Sequence, residues 1–298
     1  MLLGISIATT PSAPPGDDST LRLDTDAVDA LIGHPRFDAA MLAAAAAVVE
    51  QYRGHWLLNR LVNDRGRFVL GLMILDLHFN EGGGVGFTAG RLREVAGANG
   101  VCSPGRITAF LAALRLVGFL HQVAADDRRL RRLAPTERLL DLHRDRLRSL
   151  FKALALIDAA GDEAVAALHS PAFIGAFTHD LSAAYRSGLR ISGLVPEIRS
   201  TVERDAGLTM LFSLLIAEAS ERPVSIAALA ERFSVSRAHV LTVLREAERA
   251  GLAIPAGPRG GYRAGPALAA TLRRFFAIMF LMHLHGIDAA RSAGALAE

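Results

Sequence analysis

The sequence contains few of the residues that would mark a disulfide-stabilised or strongly basic protein. Cys102 is its only cysteine, so an intramolecular disulfide framework is excluded and a reducing compartment is favoured. Lys152 is its only lysine, so almost all of the positive charge is carried by arginine. Because the net charge is only +3, the kind of partner must be inferred from where the arginines cluster.

Long apolar runs are also missing. The run Phe275–Ile287 is shorter than the roughly 20 residues that a membrane-spanning helix needs. The first residues, MLLGISIATTPSAPPGDD, lack the basic region that opens a signal peptide. We therefore expect a cytoplasmic protein without a membrane partner, in which Phe275–Ile287 belongs to a buried core helix.

What the sequence does contain is an internal repeat. The segment HPRFDAAMLAAAAAVVEQYRG is echoed by SPAFIGAFTHDLSAAYRSG, and GRFVLGLMILDLHF is paralleled by GLTMLFSLLIAEAS. The segment SPGRITAFLAALRLVGFL, from Ser103, aligns with SRAHVLTVLREAERAGLA, from Ser236. Because the order of the segments is preserved, we interpret the chain as a duplication. The expected parts are an N-terminal segment, 1–33, that is partly disordered, a first half, 34–160, and a second half, 161–298.

Each half contains a pattern typical of a helix-turn-helix, most clearly the second. The segment SIAALAERF has apolar residues at helical spacing after a capping serine, and SVS predicts a short turn. Ser236 is expected to cap a second helix that ends at a left-handed Gly251. The segment LAIPAGPRGGYRAG then predicts a β-hairpin, or wing, with Arg259 at its tip, before Pro266 opens a long helix.

The first half repeats this order and carries a charged hairpin tip. After the helix that begins at Ser103 comes FLHQVAADDRRLRRLAPTERLL, which places Asp127, Arg128 and Arg129 at the tip and predicts a new helix from Pro135. An arginine there can enter the narrow minor groove of A·T-rich DNA, and a neighbouring aspartate can hold its guanidinium in position. A merely solvated charge cluster is the alternative. The predicted fold class is mainly α with small β-hairpin wings.

These segments resemble the MarR family of winged-helix transcription regulators. The resemblance rests on SPGRITAFLAALRLVGFLHQVAADDRRLRRLAPTERLL and, up to the second wing, on SVSRAHVLTVLREAERAGLA. The second wing departs from the family pattern because GPRGGYRAG has no aspartate. Family members are homodimers joined by their terminal helices, so the resemblance implies two winged domains joined by dimerisation-like helices, a fused pseudo-dimer. It further implies a monomer with internal pseudo-two-fold symmetry that binds double-stranded DNA and regulates transcription, and it leaves room for control by a small-molecule effector.

The predicted DNA contacts lie on the recognition helices and the wings. A recognition helix directs its N-terminal residues at base edges in the major groove, while caps and wings hold phosphates. The candidate residues are Ser103, Arg106, Thr108, Asp127, Arg128 and Arg129 in the first half, and Ser236, Arg237, His239, Thr242, Arg245 and Arg259 in the second. For each single residue, an exposed position that touches only water is the alternative.

The sequence shows no arrangement that indicates catalysis. No Ser-His-Asp order, paired carboxylates or metal-ligand spacing stands out, so we expect no enzyme, no catalytic residues, no metal and no cofactor. Tyr52, His55 and Trp56 could line an effector cavity between the wing domains and the dimer-like helices. Core packing explains these three residues equally well.

Two other functions use a similar architecture. A plasmid or phage replication initiator also carries tandem winged helices, and a non-enzymatic chromosome-organising adaptor uses winged helices for protein contacts. An adaptor would have little reason to carry arginines on its wings and recognition helices. A gene position beside a promoter favours a regulator, whereas a position beside iterated repeats at an origin favours an initiator.

Overall fold

The computed structural model describes residues 24–52, 65–123, 131–218, 222–256 and 261–296. These residues form mainly α-helices with two small antiparallel sheets, so the predicted fold class is confirmed at that level.

With the helix of the N-terminal segment 1–33 counted in the first half, the described residues up to 154 form six helices and three strands. They are α1 (Thr25–Ile32), α2 (Phe37–Gln51), α3 (Arg65–Asp76), β1 (Phe87–Thr88), α4 (Ala89–Ala98), α5 (Pro104–Leu116), β2 (Leu120–Val123), β3 (Arg132–Pro135) and α6 (Glu137–Leu154) within the described ranges. A single π-helical turn, Leu77–Glu81, continues α3.

The described residues of the second half follow the same order and include two short helices between Ile191 and Val202. Its elements are α7 (Ala160–Ala167), α8 (Pro171–Arg186), α9 (Ile191–Leu194), α10 (Arg199–Val202), α11 (Gly207–Glu218), β4 (Val224–Ser225), α12 (Ile226–Phe233), α13 (Arg237–Arg249), β5 (Ala253–Ala256), β6 (Gly261–Ala264) and α14 (Leu268–Ser292) in the described part of the chain. A 3-10 turn, Pro196–Ile198, leads into α10.

The two sheets share one topology. Their strand orders are β1-β3-β2 and β4-β6-β5, and every neighbouring pair is antiparallel. In each sheet a pair of helices separates the first strand from the second, and the second and third strands form a hairpin. We call these two units the first module, residues 87–135, and the second module, residues 224–264.

Matching caps explain why α5 and α13 begin and end at equivalent places. The hydroxyl of Ser103 accepts a hydrogen bond from the backbone N–H of Arg106 at 3.5 Å, and that of Ser236 accepts one from His239 at 3.1 Å. After α13, Gly251 adopts a left-handed φ of 71°, as the sequence predicted. Equivalent caps at both ends fix the same register for the two helices.

The helices that follow the hairpins begin later than the prolines predicted. Pro135 is the last residue of β3, and α6 begins at Glu137. Pro266 likewise precedes the start of α14. The cause is that the hydrogen-bond ladder of each hairpin extends one residue beyond its strands. The N–H of Thr136 donates to the carbonyl of Phe119, and the N–H of Gly265 donates to the carbonyl of Leu252, each at 3.0 Å.

The halves pack against each other through reciprocal helix pairs. Within the halves, α2 packs on α6 and α8 packs on α14. Between them, α2 packs on α11 while α8 packs on α3, and α6 packs on α7 while α14 packs on α1. Each of these helix pairs is therefore formed twice, once with the roles of the two halves exchanged.

Two pairs of buried phenylalanines make equivalent contacts between the halves. Phe37 of α2 meets Phe280 of α14 at 6.2 Å between ring centroids, and Phe173 of α8 meets Phe151 of α6 at 6.1 Å. All four side chains are essentially inaccessible to solvent. These positions correspond pairwise in the repeat, so the same edge-to-face contact is made twice.

The core is divided unequally between the modules. The first module and α3 enclose a core of their own, centred on Leu92, Ile107 and Leu111. The apolar face of α13, with Val240 and Leu244, instead joins the large core of the interlocked helices. The second module is therefore continuous with the centre of the molecule, whereas the first has a separate core.

Candidate nucleic-acid interface

The α5 face of the first module offers little polar surface beyond its first turn. Ser103, Arg106 and Thr108 are exposed, but the Thr108 hydroxyl donates to the Pro104 carbonyl at 3.0 Å. Arg106 lies beside Gly66 and Arg67 in a groove between α5 and the start of α3. Arg106 is thus an exposed residue at the edge of this groove.

The α13 face of the second module is more basic. Ser236, Arg237, Thr242 and Arg245 are exposed. His239 is half-buried, and its Nε2 lies 2.9 Å from the carbonyl oxygen of Asp205, which ties α13 to the loop before α11. His239 therefore fixes the helix in place, while the arginines face outward.

The shared caps allow the two helices to be compared position by position. Where α13 presents Arg237, Thr242 and Arg245, α5 presents Pro104, Ala109 and Ala112. Arg106 corresponds to His239; Arg106 lines a groove beside α3, and His239 contacts the carbonyl of Asp205.

The tips of the two predicted wings fall outside the described residues. Asp127, Arg128 and Arg129 of the first wing, and Arg259 of the second, lie outside the described residues, as do His55 and Trp56. Tyr52, the third residue of that predicted cavity, does line a cavity between the halves.

A polar cluster that the sequence did not reveal joins α3 to α8. The buried carboxylate of Asp76 lies 2.9 Å from Nδ1 of His179 and accepts hydrogen bonds from Arg186 at 2.5 Å and from the Asn80 amide at 3.0 Å. Arg186 also donates to Ser182 at 2.7 Å. No short motif links residues so far apart in the chain, so only the folded structure reveals the cluster.

The cluster shifts the pKa values of both titratable partners. Burial by itself would raise the pKa of Asp76, but hydrogen bonds from His179, Arg186 and Ser182 outweigh it and lower the pKa. The hydrogen bond to Asp76 raises the pKa of His179 above its usual value, against a smaller effect of burial. The folded protein therefore favours a charged His179 beside a charged Asp76.

We expect the contribution of Asp76 and His179 to the free energy of unfolding to depend on pH. The Asp76 contribution is present above the unfolded pKa of about 4 and is lost as the pH falls through its lowered folded pKa. The His179 contribution is complete below about pH 6.5 and is lost as the pH rises through its raised folded pKa. Stabilisation by the pair should thus be greatest between about pH 4 and 6.5.

Urea unfolding of the wild type and of His179→Gln at several pH values measures this effect. Because His179 is half exposed, the difference in unfolding free energy should be below about 1 kcal/mol at pH 5.5 and should shrink by pH 8.5. A difference that grows between these pH values would contradict the assignment.

In comparisons with known proteins, no family model, curated protein or solved structure matches the chain. Across the described ranges, no helix has both the length and the apolar character needed to cross a bilayer. α14, which contains Phe275–Ile287, buries most of its apolar side chains in the core.

Proposed function

We propose that the chain is a sequence-specific double-stranded DNA-binding regulator that acts as a single-chain pseudo-dimer. The observation that carries this proposal is the repeated module: a strand, two helices and a hairpin, with the same sheet order and the same capped second helix in both halves. A helix pair followed by a hairpin is the arrangement of a winged helix-turn-helix. Two such modules on one molecule suit a duplex that offers two half-sites.

The reciprocal packing supports the pseudo-dimer. In a symmetric dimer, when residue i of one subunit contacts residue j of the other, residue j of the first subunit also contacts residue i of the second. The pairs α2 with α11 and α8 with α3, and the two phenylalanine pairs across the halves, follow that rule within one chain. A single chain would then supply both DNA-binding modules, and the protein would act as a monomer.

The exposed arginines of α13 support DNA as the partner. Arg237 stands at the first position of the helix and Arg245 two turns later on the exposed side. Arginine pairs with guanine through two hydrogen bonds and is the side chain most often used for specific contacts in the major groove.

Selection from random duplex DNA, followed by binding titrations at several salt concentrations, tests the proposal. We expect one enriched sequence, bound at least about 10³-fold more tightly than random duplex, with an affinity that falls as salt rises. Arg291→Ala is the matched control, because Arg291 is an exposed arginine near the far end of α14, where it pairs with Glu163 and Asp288. This variant should retain full affinity. Selection that enriches no sequence would refute the proposal.

A further inference from the structure

A cavity of about 330 Å³ lies where the two halves meet. It is bordered by α2, α3 and α6 of the first half and by α8, α11 and α14 of the second. Its walls are largely apolar and include Val48, Leu72, Leu181, Phe212 and Met279. Its volume falls at the lower end of the range for sites that bind small molecules.

The largely apolar wall contains the charged side chain of Arg146. Arg146 of α6 stacks over the ring of Phe68 at 4.9 Å, and its Nη2 lies 3.4 Å from Nδ1 of His143. Among the residues that the structure describes, no carboxylate pairs with Arg146. Burial lowers the pKa of Arg146 to about 10, so the guanidinium remains charged at neutral pH.

The other titratable groups around Arg146 do not supply a negative charge. Burial lowers the pKa of His283 to about 4 and that of His143 well below its usual value, so both rings are neutral at pH 7. Burial raises the pKa of the Tyr52 hydroxyl, which therefore stays protonated. Of these four groups, only Arg146 is charged at pH 7.

The two remaining arginines of the cavity wall are already engaged. Arg204 is paired with Glu246 at 2.5 Å. Arg190 donates to the carbonyl oxygens of Tyr185 and Leu189 and lies over the Tyr185 ring. Both guanidinium groups thus donate to oxygen atoms of the protein, whereas Arg146 contacts only the His143 and Phe68 rings among the described residues.

We propose that this cavity binds a small monocarboxylate with an apolar body. A buried cation is costly unless it is paired, and a carboxylate matches the planar donor fork of a guanidinium. The apolar walls would receive the hydrocarbon part of the same molecule. A dianion would bring a second charge without a partner, and an amine would be repelled.

Isothermal titration calorimetry with three probes that each carry a ten-carbon chain tests the site directly. Decanoate should bind, whereas decanol should bind at least about tenfold more weakly because it cannot form the charged hydrogen bonds. Decyltrimethylammonium should not bind measurably. These measurements need no DNA, so the site can fail or succeed independently of the proposed function.

Three variants locate the site. Arg146→Met keeps the apolar stem of the side chain but removes the guanidinium, and it should weaken decanoate binding by about tenfold or more. Arg148→Met, the same change on the same helix but outside the cavity wall, should leave the affinity unchanged. Leu181→Trp should block binding by filling the cavity. Circular dichroism checks that each variant is folded.

Equal affinity for decanoate and decanol, or unchanged decanoate affinity in folded Arg146→Met, would overturn the proposal. Unimpaired binding to folded Leu181→Trp would place the ligand elsewhere and would equally count against it. Loss of binding in both cavity variants, with retention in Arg148→Met, would establish the site.

Discussion

Replacing Asp76 by alanine is expected to lower the free energy of unfolding by about 3 to 5 kcal/mol, the range for breaking a buried ion pair from one side. The side chain of Asp76 is only 7% exposed. Its loss would leave Arg186 without an anionic partner in the partly buried interface between α3 and α8. Removing one member of such a pair costs more than the pair contributes, because the remaining charge is no longer compensated.

Urea denaturation at pH 6, followed by circular dichroism, measures this loss. Asp145→Ala is the matched control, since Asp145 pairs with Arg148 on the exposed side of α6, and its removal should cost less than about 1 kcal/mol. The double variant Asp76→Leu with Arg186→Leu should recover part of the loss, because no charge is then left unpaired. Equal effects of Asp76→Ala and Asp145→Ala would show that the cluster does not hold the halves together.

The second large effect is expected in the protein's preference for DNA sequence, which follows from the proposed function. On the proposed function, α5 and α13 are the recognition helices. They differ at equivalent positions, so the halves would not make the same base contacts. We expect an asymmetric site with unlike half-sites about 10 base pairs apart, bound by one chain in one orientation. Arg237→Ala and Arg245→Ala should each reduce discrimination at one base pair of the same half-site by about 1 to 3 kcal/mol.

Selection from random duplexes with each variant checks this expectation. Arg106→Ala is the comparison from the first half, and any loss of base preference that it causes should fall in the other half-site. Light scattering of the complex should give the mass of one chain per duplex. A perfect palindrome, or the same lost base preference in Arg106→Ala and Arg237→Ala, would contradict the asymmetric arrangement.

The sequence by itself determined the local elements of both halves. Ser103 and Ser236 set the start of their helices because a side-chain cap is a short-range interaction, and Gly251 ends its helix because glycine adopts a left-handed φ without strain. The mainly helical fold with two small sheets followed from the same signals. Periodicity and caps act over a few residues, so they can be seen in the chain before it folds.

Only the tertiary structure decided which residues meet across the halves. Asp76 contacts His179 and Arg186 although they lie 103 and 110 residues away. The cavity around Arg146 likewise draws its walls from both halves. The hydrogen bond from the Thr136 N–H to the Phe119 carbonyl extends the hairpin, so that β3 ends at Pro135 and α6 begins later. The isolated segment does not reveal this bond. Such features arise from the way the helices pack, and local sequence patterns carry no information about the distance between remote segments.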